Sequence, residues 1–477
     1  LKKWTAMSSR RYGSQSLQRL LGHWQENPSR TPIWRQLAEA LRLLILDGRL
    51  ALDSRLPGER ELAAVLQVSR TTVASAMAQL REEGYLESRH GSGSRVILPE
   101  HIRHVPTRTS TGTALDLSTA ALSAGPEIHH AYQQALFAMP QHLLSSGYLP
   151  QGLAVLRESI ARHYCERGLP TQPDEIMVVN GAVSGLALIL RLLTGPGDRV
   201  VVDHPTYPLA IAAIQGASCR PVGVSLPEHG WDTAGLVATI AQTAPRMAYL
   251  MPDFHNPTGR CMDAATRQVV ADIAERTRTT LVIDETMVNL WYDAPPPPPL
   301  AAFNRNAPII LLGSAGKSFW GGLRLGWIRA SARTIAALVQ TRDTFDLGSP
   351  VLEQLATSWL LDNAADFLPD RRRLLTSQRD LCSDLMNAHF PEWQFTQPQG
   401  GLSFWVELPD TLATLLATRA EIAGIQLGTG TRFGLDGAFD RFLRMPFTLP
   451  DDTTRAAFRV LQPIWDNLRL QASSGKI

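Results

Sequence analysis

Apolar positions in the front of the chain recur with a helical period. In TPIWRQLAEALRLLILDG, which starts at Thr31, residues Trp34, Leu37, Leu41, Leu44 and Ile45 fall on one stripe, and Gly48 ends it. The octet ERELAAVL predicts a short second helix that buries Leu62 and Leu66. QVSRTTVASAMAQLREEGY predicts a third, with Ser69 as N-cap, Val73, Met77 and Leu80 inward, and Gly84 as the stop. The period then changes, and LESRHGSGSRVIL reads as two short strands about a turn at 91–94. PEHIRHVPTRTSTGT, residues 99–113, has no apolar period and is rich in Pro, Ser and Thr, as a linker is. From Leu115 onward, the apolar runs IMVV, RVVV, MAYLM, TLVID and PIILLG alternate with helical segments. That alternation predicts an α/β domain on a mainly parallel sheet. The pattern divides the chain into a polar, partly ordered segment at 1–30, a helical unit at 31–98, the linker at 99–113, an α/β body at 114–470 and a tail at 471–477.

Three helices followed by a ribbon describe a winged helix-turn-helix, whose third helix enters the major groove of double-stranded DNA. Its first turn is Ser69, Arg70, Thr71 and Thr72. Arg70 reaches a guanine edge or a phosphate, and the hydroxyls suit phosphate oxygens. Arg60 opens the preceding helix and is placed for a backbone contact, while His90, Gly91 and Arg95 belong to the wing. The plainer alternative is a small docking domain with a solvated basic face. Charge favours DNA: residues 1–105 hold 16 Lys/Arg against 10 Asp/Glu, a net +6, and the remainder holds 30 against 34, a net −4.

The 477 residues are enough for more than one domain, and 44% hydrophobic with 19% charged residues is a globular composition. No apolar run approaches the roughly 20 residues of a membrane-spanning helix, so no membrane partner is expected. LKKWTAMSSRRYGSQSL lacks the apolar core of a signal peptide, which predicts a cytoplasmic protein. Cys165, Cys219, Cys261 and Cys382 are scattered and form no metal-type pair, so they read as buried free thiols.

Lysine usage changes the picture. Of 46 basic side chains only four are lysines: Lys2, Lys3, Lys476 and, in LLGSAGKSFWGGLRLGW, Lys317. Arginine keeps its proton in proteins, whereas a desolvated lysine releases it and becomes a nucleophile. Lys317 follows an apolar strand among small residues, where sites in α/β sheets gather. An amine there suggests a Schiff base with pyridoxal phosphate. That cofactor makes demands that the sequence meets in turn. TLVIDE offers Asp284 for the ring nitrogen, DFHNPTG offers Asn256 for the ring oxygen, and DHPTYP offers Tyr207 as an aromatic platform. VVNGAVSGLALIL supplies a helix N-terminus for the phosphate at Gly181, Ala182 and Val183, with Ser314 and Arg324 as further contacts. Singly each has a plainer role as turn, cap or core residue; together they follow successive strands.

Two resemblances extend this reading. LPGERELAAVLQVSRTTVASAMAQLREEGYLESRHGSGSRV, within residues 31–97, resembles the DNA-binding domain of GntR-type bacterial regulators. It departs at Ala74, where some relatives carry a DNA-touching arginine. Residues 115–470 resemble a fold-type I aminotransferase through YLPQGLAVLRESIARHY, NGAVSGL, DHPTYP, DFHNPTG, VIDE, SAGKSFWGGLRLGW and FLRMPF. The resemblance implies that Lys317 forms the internal aldimine, Asp284 holds the pyridine nitrogen, Asn256 holds the ring oxygen and Tyr207 stacks on the ring. It implies further that Tyr148 reaches the cofactor phosphate of the neighbouring subunit and that Arg444 grips a substrate or effector carboxylate. Met287 stands where many aminotransferases have a tyrosine on the ring oxygen, and LSTAALSAGPEIHHAY departs from the usual substrate-side entry. A GntR-type reader fused to such a body resembles the MocR/GabR regulators. That family implies a head-to-tail homodimer on operator DNA, sensing pyridoxal phosphate or an amine or amino-acid effector. Two alternatives remain at this stage: a working aminotransferase carrying a regulatory DNA-binding domain, and a DNA-binding protein whose body has lost its cofactor.

Overall fold

The computed structural model describes residues 11–22, 24–25, 31–46, 49–51, 54–89, 93–97, 115–228 and 230–473. The linker 99–113 and the wing residues His90 and Gly91 lie outside them. At the front, helices Ile33–Leu46, Glu59–Leu66 and Arg70–Glu82 stand where the apolar period puts them. The stripe residues Leu37, Leu41, Leu44, Leu62, Leu66, Val73, Met77 and Leu80 form one core. Strands β1 (Leu86–Arg89) and β2 (Gly93–Val96) pair antiparallel as the wing. The segment ahead of Thr31 contributes more order than its polar sequence suggests. Helix Ser14–Leu21 buries Leu17 and Leu21 in the same core, and Gln18 donates to Val65 O at 3.0 Å.

In the body the strands are β3 (Leu115–Leu117), β4 (Ile176–Val179), β5 (Arg199–His204), β6 (Arg220–Ser225), β7 (Met247–Leu250), β8 (Thr280–Asp284), β9 (Ile309–Ser314) and β10 (Gly326–Arg329). They continue with β11 (Gln394–Phe395), β12 (Ser403–Glu407), β13 (Ile425–Thr429) and β14 (Phe442–Pro446). Seven of them form one sheet in the order β4-β10-β9-β8-β7-β5-β6, in which β10 runs antiparallel to both its neighbours and the other pairings are parallel. Helices cover both faces, which is why its strands are near-continuous apolar runs rather than alternating ones. Successive residues enter opposite cores. Val201, Ala248, Leu281, Ile283 and Leu311 lie in one, and Val200, Val202, Met247, Tyr249, Val282 and Ile310 in the other.

A second sheet, β11-β12-β14-β13-β3, is antiparallel apart from the β13–β3 pair. Helices Ala364–His389 and Asp451–Ser473 accompany its separate core, which includes Phe390, Phe404, Phe458 and Trp465. The expectation of buried thiols holds for Cys219 and Cys382, while Cys165 is exposed because it lies on the outer side of helix Ala154–Glu166. Among the described residues no helix is long and apolar enough to cross a membrane.

Candidate functional site

Parallel strands deliver their C-terminal ends to one edge of the sheet. Here β4 leads into Gly181, β5 into Tyr207, β7 into Asn256, β8 ends at Asp284, and β9 runs into the short helix Ala315–Ser318 that carries Lys317. Segments far apart in sequence therefore converge.

Lys317 is half-buried, and its Nζ donates to Ala120 O at 2.6 Å. Burial lowers its pKa to about 8, helped by Arg444 and opposed by Asp284. The Asp284 carboxyl is raised by burial; two hydrogen bonds act against that, from Tyr249 OH to Oδ2 at 2.5 Å and from Thr286 N to Oδ1 at 2.9 Å. The Tyr207 phenol is raised by burial and by Asp284, and lowered by Arg444 and Arg324. Asp284, Arg324 and Arg444 are thus near enough to act on Tyr207, and Asp284 and Arg444 near enough to act on Lys317.

The phosphate end is built from backbone. Gly181 has φ +95° and is the N-cap of helix Ala182–Leu193, a conformation that favours glycine. Its Cα faces the Arg324 guanidinium, which lies 3.6 Å from where a Cβ would stand. Gly326 on β10 passes so close that a Cβ there would meet Ala182 N at 2.9 Å and Gly313 O at 2.8 Å. The first N–H groups of a helix have no partner within it and attract anions. Ser314 Oγ accepts from Gly316 N at 3.0 Å and caps the turn bearing Lys317.

At the opposite end Arg444 projects from β14, beside Trp405 of β12 and Gly428 of β13. Its guanidinium lies over the Phe433 ring at 5.2 Å and donates to Ser118 O. Burial lowers its pKa to about 10, with Arg432 acting in the same direction. Tyr148 is 66% exposed and stands outside this chain's own pocket. Met287 is 4% exposed and packs in the apolar cluster with Leu117, Ala120 and Phe254, so it fills space where a tyrosine would bond.

Three contributors escaped sequence reasoning. Tyr249 reads as one more apolar residue of MAYLM, yet a tyrosine buried in a strand needs a partner for its hydroxyl, and that need was the available signal. Ser118 and Ala120 act through carbonyl oxygens, which leave no side-chain signature. The front unit is simpler. Ser69 Oγ accepts from Thr72 N at 3.0 Å and lies 2.7 Å from Thr71 Oγ1, and Arg60, Arg70 and Thr71 are exposed.

Buried polar atoms normally find partners. Several buried side-chain polar atoms of the described residues find none, and four of these, Asn180 Oδ1, Thr206 Oγ1, Asn256 Oδ1 and Arg444 Nε, belong to the loops and strand just described. Arg324, Arg444 and the helix N-terminus at Gly181 suit an anionic ligand, and the Lys317 amine suits a carbonyl. Residues 115–461 match the model for aminotransferase class I and II, and residues 34–96 match bacterial regulatory proteins of the gntR family. The chain belongs to the class I and II aminotransferase family. It joins that fold to a GntR-type DNA-binding domain, the architecture of MocR-type regulators. The uncharacterized HTH-type transcriptional regulator YdfD of Bacillus subtilis is 27% identical over 440 residues, spanning 85% of this chain and 91% of that one. The probable rhizopine catabolism regulatory protein MocR of Rhizobium meliloti is 27% identical over 394 residues, 76% of this chain and 78% of that one. LysN, the α-aminoadipate aminotransferase of Thermus thermophilus, solved with N-(5'-phosphopyridoxyl)-L-leucine, superposes with a TM-score of 0.69 at 25% identity. The match spans 75% of this chain and 93% of LysN. Class I and II aminotransferases are pyridoxal phosphate proteins, and the residues of this MocR-type chain fit that cofactor.

Proposed function

We propose that the chain is a pyridoxal phosphate-dependent transcription regulator that reads operator DNA through its front domain and senses the cofactor, or an amine or amino acid joined to it, through its body. The observation that carries this is the half-buried Lys317 amine, held on Ala120 O at the C-terminal edge of the parallel sheet, in a chain whose residues 34–96 match the gntR family. Pyridoxal phosphate supplies an aldehyde for primary amines and a ring that withdraws electrons. Lys317 presents the amine. Asp284 would hold the proton on the ring nitrogen, Asn256 would serve the ring oxygen, and Tyr207 would provide the aromatic platform for the ring. Gly181, Ala182, Val183, Ser314 and Arg324 surround the phosphate, and Arg444 orients an effector carboxylate by a two-pronged contact. On the DNA side Arg60, Ser69, Arg70, Thr71 and Thr72 meet the duplex, with His90 and Gly91 at the wing.

An effector shifts DNA affinity only by binding two conformations of the body unequally. The protein works as a head-to-tail homodimer in the cytoplasm: Leu136, Phe137, Leu143 and Leu144 form an exposed apolar stretch that continues to Tyr148, which then reaches the partner's phosphate. The test is a titration of operator DNA with wild type, Lys317→Ala and Lys317→Arg, with and without pyridoxal phosphate and candidate amines. Loss of the effector response in both variants, with basal DNA binding kept, supports the reading; a full response in Lys317→Arg sinks it. The second reading is a working aminotransferase under a regulatory domain, favoured by the intact Lys317–Asp284–Asn256 set. Sustained turnover of an amino-acid donor with a keto acid would select it.

A further inference from the structure

The structure assigns to the reader a row of arginines that grips the DNA backbone beside the groove-reading helix. Arg55 pairs across the sheet with Arg95 of β2 on one side and with Arg11 on the other, and Arg95 in turn faces Glu87 of β1. The pairing is secured by Leu56 N to Ser94 O and Val96 N to Ser54 O, both 2.9 Å, and by Tyr12 N to Arg55 O at 3.0 Å. Residues directly opposite in neighbouring strands project from the same face, and alternate residues from the other. Ser54, Leu56, Leu86 and Val96 are buried in the reader's core, so Arg11, Arg55 and Arg95 stand on the outer face. Arg11 and Arg55 are exposed there.

Glu87 lies opposite Arg95, so the exposed Arg11 and Arg55, held side by side, are the cations presented to an anion chain. Guanidinium groups match phosphate oxygens in geometry and charge. The line belongs to the sheet of the wing. The segment holding Arg55 leads through Pro57 and Gly58 into helix Glu59–Leu66, which carries the exposed Arg60. Arg11 lies ahead of residues 34–96, the stretch that matches the gntR family, and joins the row through a single bridge to Arg55. A duplex phosphate backbone is therefore its partner. This rests on reading the front domain as a DNA reader.

The experiment uses the full chain and a random-sequence duplex several helical turns long, with affinity measured by anisotropy across a salt series. Each phosphate contact adds about 0.9 to the slope of log affinity against log salt, so Arg11→Gln and Arg55→Gln should each lower it by about one. Each should weaken binding roughly tenfold near 0.1 M salt, and the double variant should lose both increments. Thermal midpoints and the preference for operator over random DNA should not move, and Arg55→Lys should hold close to the wild-type slope. An unchanged slope in both glutamine variants overturns the row alone, as does a lost slope in Arg55→Lys. A wild-type chain that binds no duplex at low salt overturns the regulator reading and the row with it.

Discussion

At Lys317 the governing quantity is the cost of burying a charge. The amine sits near pH 8 instead of its ordinary 10.5 because desolvation and Arg444 together outweigh Asp284. The rate at which apo-protein captures pyridoxal phosphate should climb about tenfold per pH unit and level off near 8, followed by the cofactor's visible absorbance. A rise continuing toward 10 would mean that the amine is solvated. The same shift sets a sign for stability. Below about 8 the folded chain carries the full cost of this charge; between about 8 and 10.5 the unfolded chain holds the proton and the folded chain does not, so apo-protein stability rises with pH across that window as the cost is relieved. Tyr249 governs the other end of the ring. Tyr249→Phe removes the bond to Asp284 Oδ2, and burial then drives the carboxyl further up. A hydrogen bond to a charged group contributes about 1.5–3 kcal/mol, so cofactor affinity should fall by about tenfold or more, as a pyridoxal phosphate titration would read.

Among the elements, the site depends on how closely β10 passes the N-terminus of helix Ala182–Leu193. Gly326→Ala would push a methyl group against Ala182 N and Gly313 O. Overpacking of this kind costs roughly 1–3 kcal/mol. The melting temperature should drop and phosphate binding should weaken together, which a melt with and without inorganic phosphate would show. At the front, the first turn of helix Arg70–Glu82 is held by the Ser69 cap and leaves Arg70 exposed. Arg70→Ala should cut operator affinity while leaving the cofactor spectrum intact, and unchanged operator binding would mean that another element reads the groove.

For the whole molecule, the largest exposed apolar residues cluster at 136–148, with Leu144 99% exposed. Such a stretch marks an interaction surface. Leu144→Glu should convert a dimer to monomers in light scattering. It should also weaken cofactor binding, because Tyr148 would no longer reach a partner's phosphate. Wild-type protein that is monomeric at micromolar concentration would refute this. A dimer carrying two readers should also protect two repeated half-sites in a footprint.

Much of this was legible in the chain itself. The helical period at 31–83 and the apolar strand runs after residue 115 specify their elements because burying an apolar stripe dominates local choice. Arginine's inability to release a proton made Lys317 conspicuous, and the order of Asp284, Asn256, Tyr207 and Gly181 after successive strands followed from parallel-sheet chemistry. Helix Ser14–Leu21 was not legible, because its polar sequence gains stability only from Leu17 and Leu21 meeting a core made elsewhere. Neither was the bond of Tyr249 to Asp284, which joins two parallel strands 35 residues apart. The carbonyls of Ser118 and Ala120, the four unpartnered polar atoms and the arginine row were decided by tertiary structure alone. A backbone oxygen or an outward arginine has the same sequence wherever it points, and only the pairing of distant strands fixes what it faces.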